Sequence, residues 1–108
     1  RALRETLGRS GTKTVSIDDV IQSVSEAMDV PEKKLIGRGR KMEVAGARQV
    51  AMYLSREIVG TSLENIGLHF GGRDHSTVIH ACRVVKEKMK EKSDLRRRVD
   101  VIRSQLEF

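Results

Sequence analysis

Apolar residues recur every three or four positions along nearly the whole chain, and no stretch alternates convincingly in the two-residue period of a half-buried strand. Ile17, Val20, Ile21, Val24, Ala27 and Met28 form one stripe, and Ser16 before them can cap a helix by accepting from its first free amides. Pro31 can open a short helix through Ile36, because a first-turn proline gives up no bond it would have made; Gly37 ends it. A longer helix is expected over 43–59, with Val44, Ala47, Ala51, Leu54 and Ile58 inward and Gln49 and Arg56 outward, Arg48 at the flank, until Gly60 stops it. Thr61 or Ser62 caps the next helix, Thr61 standing at capping-box spacing from Glu64, while Leu63, Ile66 and Phe70 share one side and Gly67 suits a close helix crossing. Residues 1–7 read as the end of a linker helix and 8–13 as a flexible joint, so 1–15 are expected to lead into one domain over 16–108.

The segment FGGRDHSTVIHA (70–81) is the most specific in the chain. Its glycine pair breaks one amphipathic helix, and a second begins near Asp74 or His75 and runs to about residue 91, with Val78, Ala81, Cys82, Val85 and Met89 inward and Ser76, Thr77, His80 and Arg83 elsewhere. A helix-turn-helix places the N-terminal end of its second helix in the DNA major groove. Asp74 there has two readings that can coexist, an N-cap and an acceptor for the amino group of cytosine; His75 and Ser76 can meet base edges, and Thr77 and His80 are better placed for phosphate. A last helix from Ser93 carries Leu95, Val99, Ile102 and Leu106 on one face beside Arg96, Arg97 and Arg98, a run read as solvated or as lying on an acidic membrane. These elements predict an all-α bundle of about six helices with a helix-turn-helix over 62–70 and 74–91.

Composition narrows the partner without naming it. A net charge of +6 over 108 residues fits nucleic acid, and equally a ribosomal or membrane-surface role. The single cysteine excludes an internal disulfide and leans toward a reducing cytoplasm; no apolar run approaches a membrane span and no signal-peptide pattern opens the chain, so a soluble protein is expected. Enzymatic chemistry has no support: Asp74, His75 and Ser76 are neighbours along one helix and cannot face each other as a relay. A metal shell from His75, His80 and Cys82 is disfavoured, because Cys82 falls on the apolar stripe and no paired ligand motif completes it.

The stretch GRGRKM (37–42) puts three cations and two glycines between helices, and composition by itself favours an ordinary solvated loop. Yet FGGRDHSTVIHACR (70–83), with GRGRKMEVAGARQVAMYLSRE (37–57) and SLENIGLHF (62–70), resembles the C-terminal DNA-binding domain of the DnaA family of bacterial chromosomal replication initiators, over roughly residues 17–108. The resemblance implies a Trp-repressor-like fold and sequence-specific binding to short asymmetric A·T-rich boxes of the TTATCCACA kind at the replication origin, in the cytoplasm at the nucleoid. It implies that Arg40 enters the minor groove, whose negative potential attracts guanidinium, while Asp74, His75 and Ser76 read the major groove. It places Arg48, Gln49, Arg56, Ser62, Leu63, Arg73, Thr77 and His80 on the DNA backbone, Ser62 and Leu63 through their main chain; a solvated-face reading stays open for Arg56, and a surface or intrahelical ion-pair reading for Arg73.

The family's ATP is assigned to a module outside this chain, which has no GxxxxGK[ST] loop, and Arg1 in first place suits a fragment of a longer protein. No cofactor is expected here, self-assembly on the origin is implied through other domains, and acidic phospholipids are a further implied partner. Two positions depart from the family pattern: Glu64 stands where proline is common, and Ser76 where threonine is common, which removes a methyl that could touch thymine. The alternatives are a helix-turn-helix transcription regulator and a basic module for membrane or protein partners.

Overall fold

Ser16 shows how locally the first helix is decided: its Oγ accepts from the Asp19 amide at 3.1 Å while the Asp19 carboxylate accepts from the Ser16 amide at 3.0 Å, a reciprocal capping box. The structure is a computed structural model that describes residues 14–107, so the linker and joint expected over 1–13 lie outside the described residues. From this cap α1 (Ile17–Met28) runs with Ile17, Val20, Ile21 and Val24 buried, Met28 half-buried and Ala27 exposed. Pro31 then precedes α2 (Glu32–Leu35), one turn long, which contributes Leu35 to the core.

The helix α3 (Met42–Leu54) is the centre of the bundle and packs against α1, α2 and the long helix over 75–91. The expected stripe of Val44, Ala47, Ala51 and Leu54 is buried, but so are Val50, Met52 and Tyr53, because neighbours surround the second half of this helix on every side. Its end differs from expectation. Instead of continuing as α-helix to 59, the chain widens into a π-helical turn, Ser55–Val59, closed by Gly60 at φ 72°. Ser55 is fully buried, and its hydroxyl, cut off from water, donates to the Ala51 carbonyl at 2.8 Å, a bond that competes with the regular ladder where the register changes.

The supporting helix α4 (Leu63–His69) is capped by Ser62, whose Oγ accepts from the Asn65 amide at 3.1 Å, while Thr61 Oγ1 accepts from the Asn65 side chain at 2.9 Å. Ser62 with Asn65 therefore replaces the expected Thr61 and Glu64 pairing. The turn after α4 uses Gly71 and Gly72 in succession at φ 83° and 74°, where a side chain would be strained. It delivers α5 (His75–Glu91), the second helix of the pair, with Val78, Ala81, Cys82 and Val85 buried. Finally α6 (Ser93–Glu107) lays Val99, Ile102 and Leu106 on α1 and α5 and closes the bundle. The described residues form six α-helices and no strand, as the periodicity predicts. None of these helices is long and apolar enough to cross a membrane.

Candidate nucleic-acid interface

The geometry of the helix-turn-helix depends on one contact. Gly67, buried in α4, accepts through its carbonyl from the Arg73 amide at 2.9 Å, and a Cβ placed on it would stand 2.1 Å from the Arg73 carbonyl oxygen. Only a glycine lets the turn fold back this closely, which sets where α5 starts relative to α4. Packing of Ile66, Phe70 and Val78, all fully buried, supports the junction from inside.

The start of α5 is open to solvent: Asp74, His75, Ser76 and Thr77 are all exposed, and His80 is exposed one turn further on. Asp74 occupies the N-cap position with extended backbone, yet its side chain makes no capping bond; its carbonyl, not its carboxylate, receives Thr77 and Val78. Of the two readings of Asp74, the positional one holds for the backbone while the carboxylate stays available to an outside donor.

The basic loop between α2 and α3 is drawn to this turn. Arg38 donates through Nη2 to the Gly71 carbonyl at 3.2 Å, and Arg73 donates through Nη2 to the Gly37 carbonyl at 2.7 Å and through Nη1 to that of Phe70. Arg40, two residues beyond Arg38, is exposed. The only sequence signal for Arg38 is its membership of the basic run.

Arg48 requires a correction. It is 7 % exposed rather than on the outer flank, and its guanidinium donates to the carbonyls of Leu35 at 2.8 Å, Lys34 at 2.9 Å and Gly39 at 3.1 Å. Its side chain thus ties the end of α2 to the basic loop, using three of its five N–H donors. Burial, then the neighbouring Arg73 charge, lowers its pKa; burial, then Arg38, does the same to Arg73. Arg73 is likewise half-buried and engaged with main-chain carbonyls.

The remaining candidates spread around this centre. Gln49 is half-buried on α3, Ser62 is exposed and Leu63 half-buried at the start of α4, and Arg56 is exposed on the π-helical turn. Arg56 lies against the Cys82 thiol; burial pushes that thiol up, and Arg56 pulls it partly back. Cys82 is buried in α5 as part of the core. On α6, Arg96, Arg97 and Arg98 are exposed, with Arg97 3.8 Å from Asp94 at the surface.

Residues 17–85, from the first turn of α1 into the second half of α5, match the family model described as the bacterial dnaA protein helix-turn-helix. The chain belongs to this DnaA family. Among its relatives, the chromosomal replication initiator protein DnaA of Chlorobaculum tepidum is 38% identical over 100 residues, covering 93% of this chain and 20% of the relative. That of Bifidobacterium animalis subsp. lactis is 44% identical over 98 residues, covering 88% of this chain and 17% of the relative. A crystal structure of a DNA replication initiation factor superposes with a TM-score of 0.75 at 31% identity, over 84% of this chain and 28% of that one. This chain thus spans about a fifth of the length of the curated relatives it matches. The matched DnaA segment contains the basic loop, Gly67, the Gly71 and Gly72 turn and the opening turns of α5, so it covers the whole site.

Proposed function

We propose that this chain binds duplex DNA in the initiation of chromosomal replication, recognising short asymmetric A·T-rich boxes of the TTATCCACA kind. The observation that carries the reading is the start of α5, where Asp74, His75 and Ser76 stand exposed in succession and the Asp74 carboxylate is not used as a cap. Asp74 accepts from a cytosine amino group, and His75 and Ser76 meet neighbouring base edges in the major groove. Arg40 enters the adjacent minor groove from the loop that Arg38 and Arg73 bring to the turn. Thr77 and His80, with Gln49, Arg56 and the main chain at Ser62 and Leu63, lie on phosphates and set the register.

A fluorescence-anisotropy titration of box against scrambled duplex at several salt concentrations tests this. Binding is expected to be far tighter to the box and to weaken steeply with salt, because several phosphates displace their counterions. Equal affinity for the two duplexes overturns the proposal, and a preference for promoter over origin DNA would instead favour a transcription regulator.

A further inference from the structure

Arg38, Arg48 and Arg73 form a seam between the basic loop and the helix-turn-helix, and their bonds run to backbone carbonyls. Three consecutive loop residues are held: the Gly37 carbonyl by Arg73, Arg38 through its own side chain on Gly71, and the Gly39 carbonyl by Arg48. Arg40 follows directly. On the other side, the Arg73 amide is fixed to Gly67, and His75 lies two residues further on. A loop with two glycines would otherwise sample many conformations and lose that freedom on binding.

We propose that Arg48 and Arg73 are positioning residues for DNA readout, holding the loop that carries Arg40 in a set place relative to the recognition helix so that minor-groove and major-groove readers bind as one body. This inference rests on the DNA-binding function proposed above. Arg48 serves here by fixing carbonyls: it is 7 % exposed, and three of its five N–H donors are used inside the fold.

The test is a pair of double-mutant cycles measured by anisotropy on the box duplex, with Arg40→Ala and His75→Ala each made in the parent chain and in Arg48→Lys. Lysine keeps the charge but lacks the planar fork that reaches three acceptors. In the parent, Arg40→Ala is expected to weaken binding about tenfold or more; in Arg48→Lys the same change should cost no more than about threefold, while the His75→Ala penalty stays the same in both. An Arg40→Ala penalty that is absent from the parent, or equal in both backgrounds, overturns the positioning role. Should circular dichroism show Arg48→Lys unfolded, Arg73→Lys replaces it with the same expectations, because it loosens the tie to Gly37. The parent's preference for box over scrambled duplex is read in the same titrations: without it the functional proposal itself falls, whereas a preference with unaltered Arg40 penalties removes the positioning role alone.

Discussion

Gly67→Ala is the sharpest test of how the fold positions its reading helix. In an exposed helix interior, alanine is better than glycine by about 1 kcal/mol, so propensity alone predicts a gain. Here the new Cβ would stand 2.1 Å from the Arg73 carbonyl oxygen, so the two atoms must separate by about 1.3 Å to reach the 3.4 Å at which ordinary contact begins. The obstacle is backbone in a turn fixed by two positive-φ glycines, not the end of a flexible side chain. Overpacking of this kind costs about 1–3 kcal/mol, and withdrawal of the turn also breaks the 2.9 Å bond from the Arg73 amide to Gly67, worth about 1 kcal/mol. After the propensity gain is subtracted, a net loss of about 1–3 kcal/mol is expected.

Thermal melts followed by circular dichroism should show this as a Tm lowered by about 4–24 °C, since 1 kcal/mol corresponds to about 4–8 °C in a domain of this size. Gly46→Ala is the internal control: the position is helical, its φ is ordinary, and nothing lies within 4 Å of an added Cβ, so Tm should rise by a few degrees. A Gly67→Ala chain that melts at or above the parent would refute the argument, because the propensity term would then be acting without the clash.

Asp74→Ala should cost less than the ~1 kcal/mol usual for a capping aspartate, because no cap bond is lost, while discrimination among single-base variants of the box falls; a large drop in Tm would show that the carboxylate caps α5 after all. Thr77→Ala and His80→Ala should lower affinity for box and scrambled duplexes by comparable factors, since phosphate contacts do not carry sequence, and a loss confined to the box would move both residues onto bases. Burial raises the pKa of Cys82 above its ordinary 9.0, and burial followed by the Glu57 charge raises Tyr53 above 10.0. Above these ordinary values the folded chain retains protons that the unfolded chain releases, so stability is fully present below pH 9 and declines as pH rises further. Urea midpoints at pH 7.5 and 10 test it: an unchanged midpoint contradicts the sign.

Helical periodicity made α1, α4, α5 and α6 legible because each is wet on one side and dry on the other. On α5 the inward set of Val78, Ala81, Cys82 and Val85 is the one the spacing indicates. The same reasoning was incomplete for α3, which lies among its neighbours and so has no single dry stripe. Arg48 is the instructive case: it stands four residues after Val44 and three before Ala51, both buried, so the helical wheel already puts it near the apolar side. Its charge argued for solvent, and what outweighed charge was a set of carbonyls from Lys34, Leu35 and Gly39 that no local pattern reveals. The π-helical turn had no sequence signal beyond one serine, because a buried hydroxyl becomes a problem only once the surrounding helices have excluded water.

Local and long-range determinants therefore divide the candidate site between them. The residues proposed to read bases are legible because they are exposed at a helix start, a position defined by sequence neighbours, with the glycine pair before it and the apolar stripe behind it. What brings the basic loop to that helix start is not local: the ties to Gly37 and Gly71 join residues 36 and 33 positions apart in the chain. Each is an arginine bonded to a main-chain carbonyl, an acceptor every residue possesses, so nothing in the partner's identity marks the pairing.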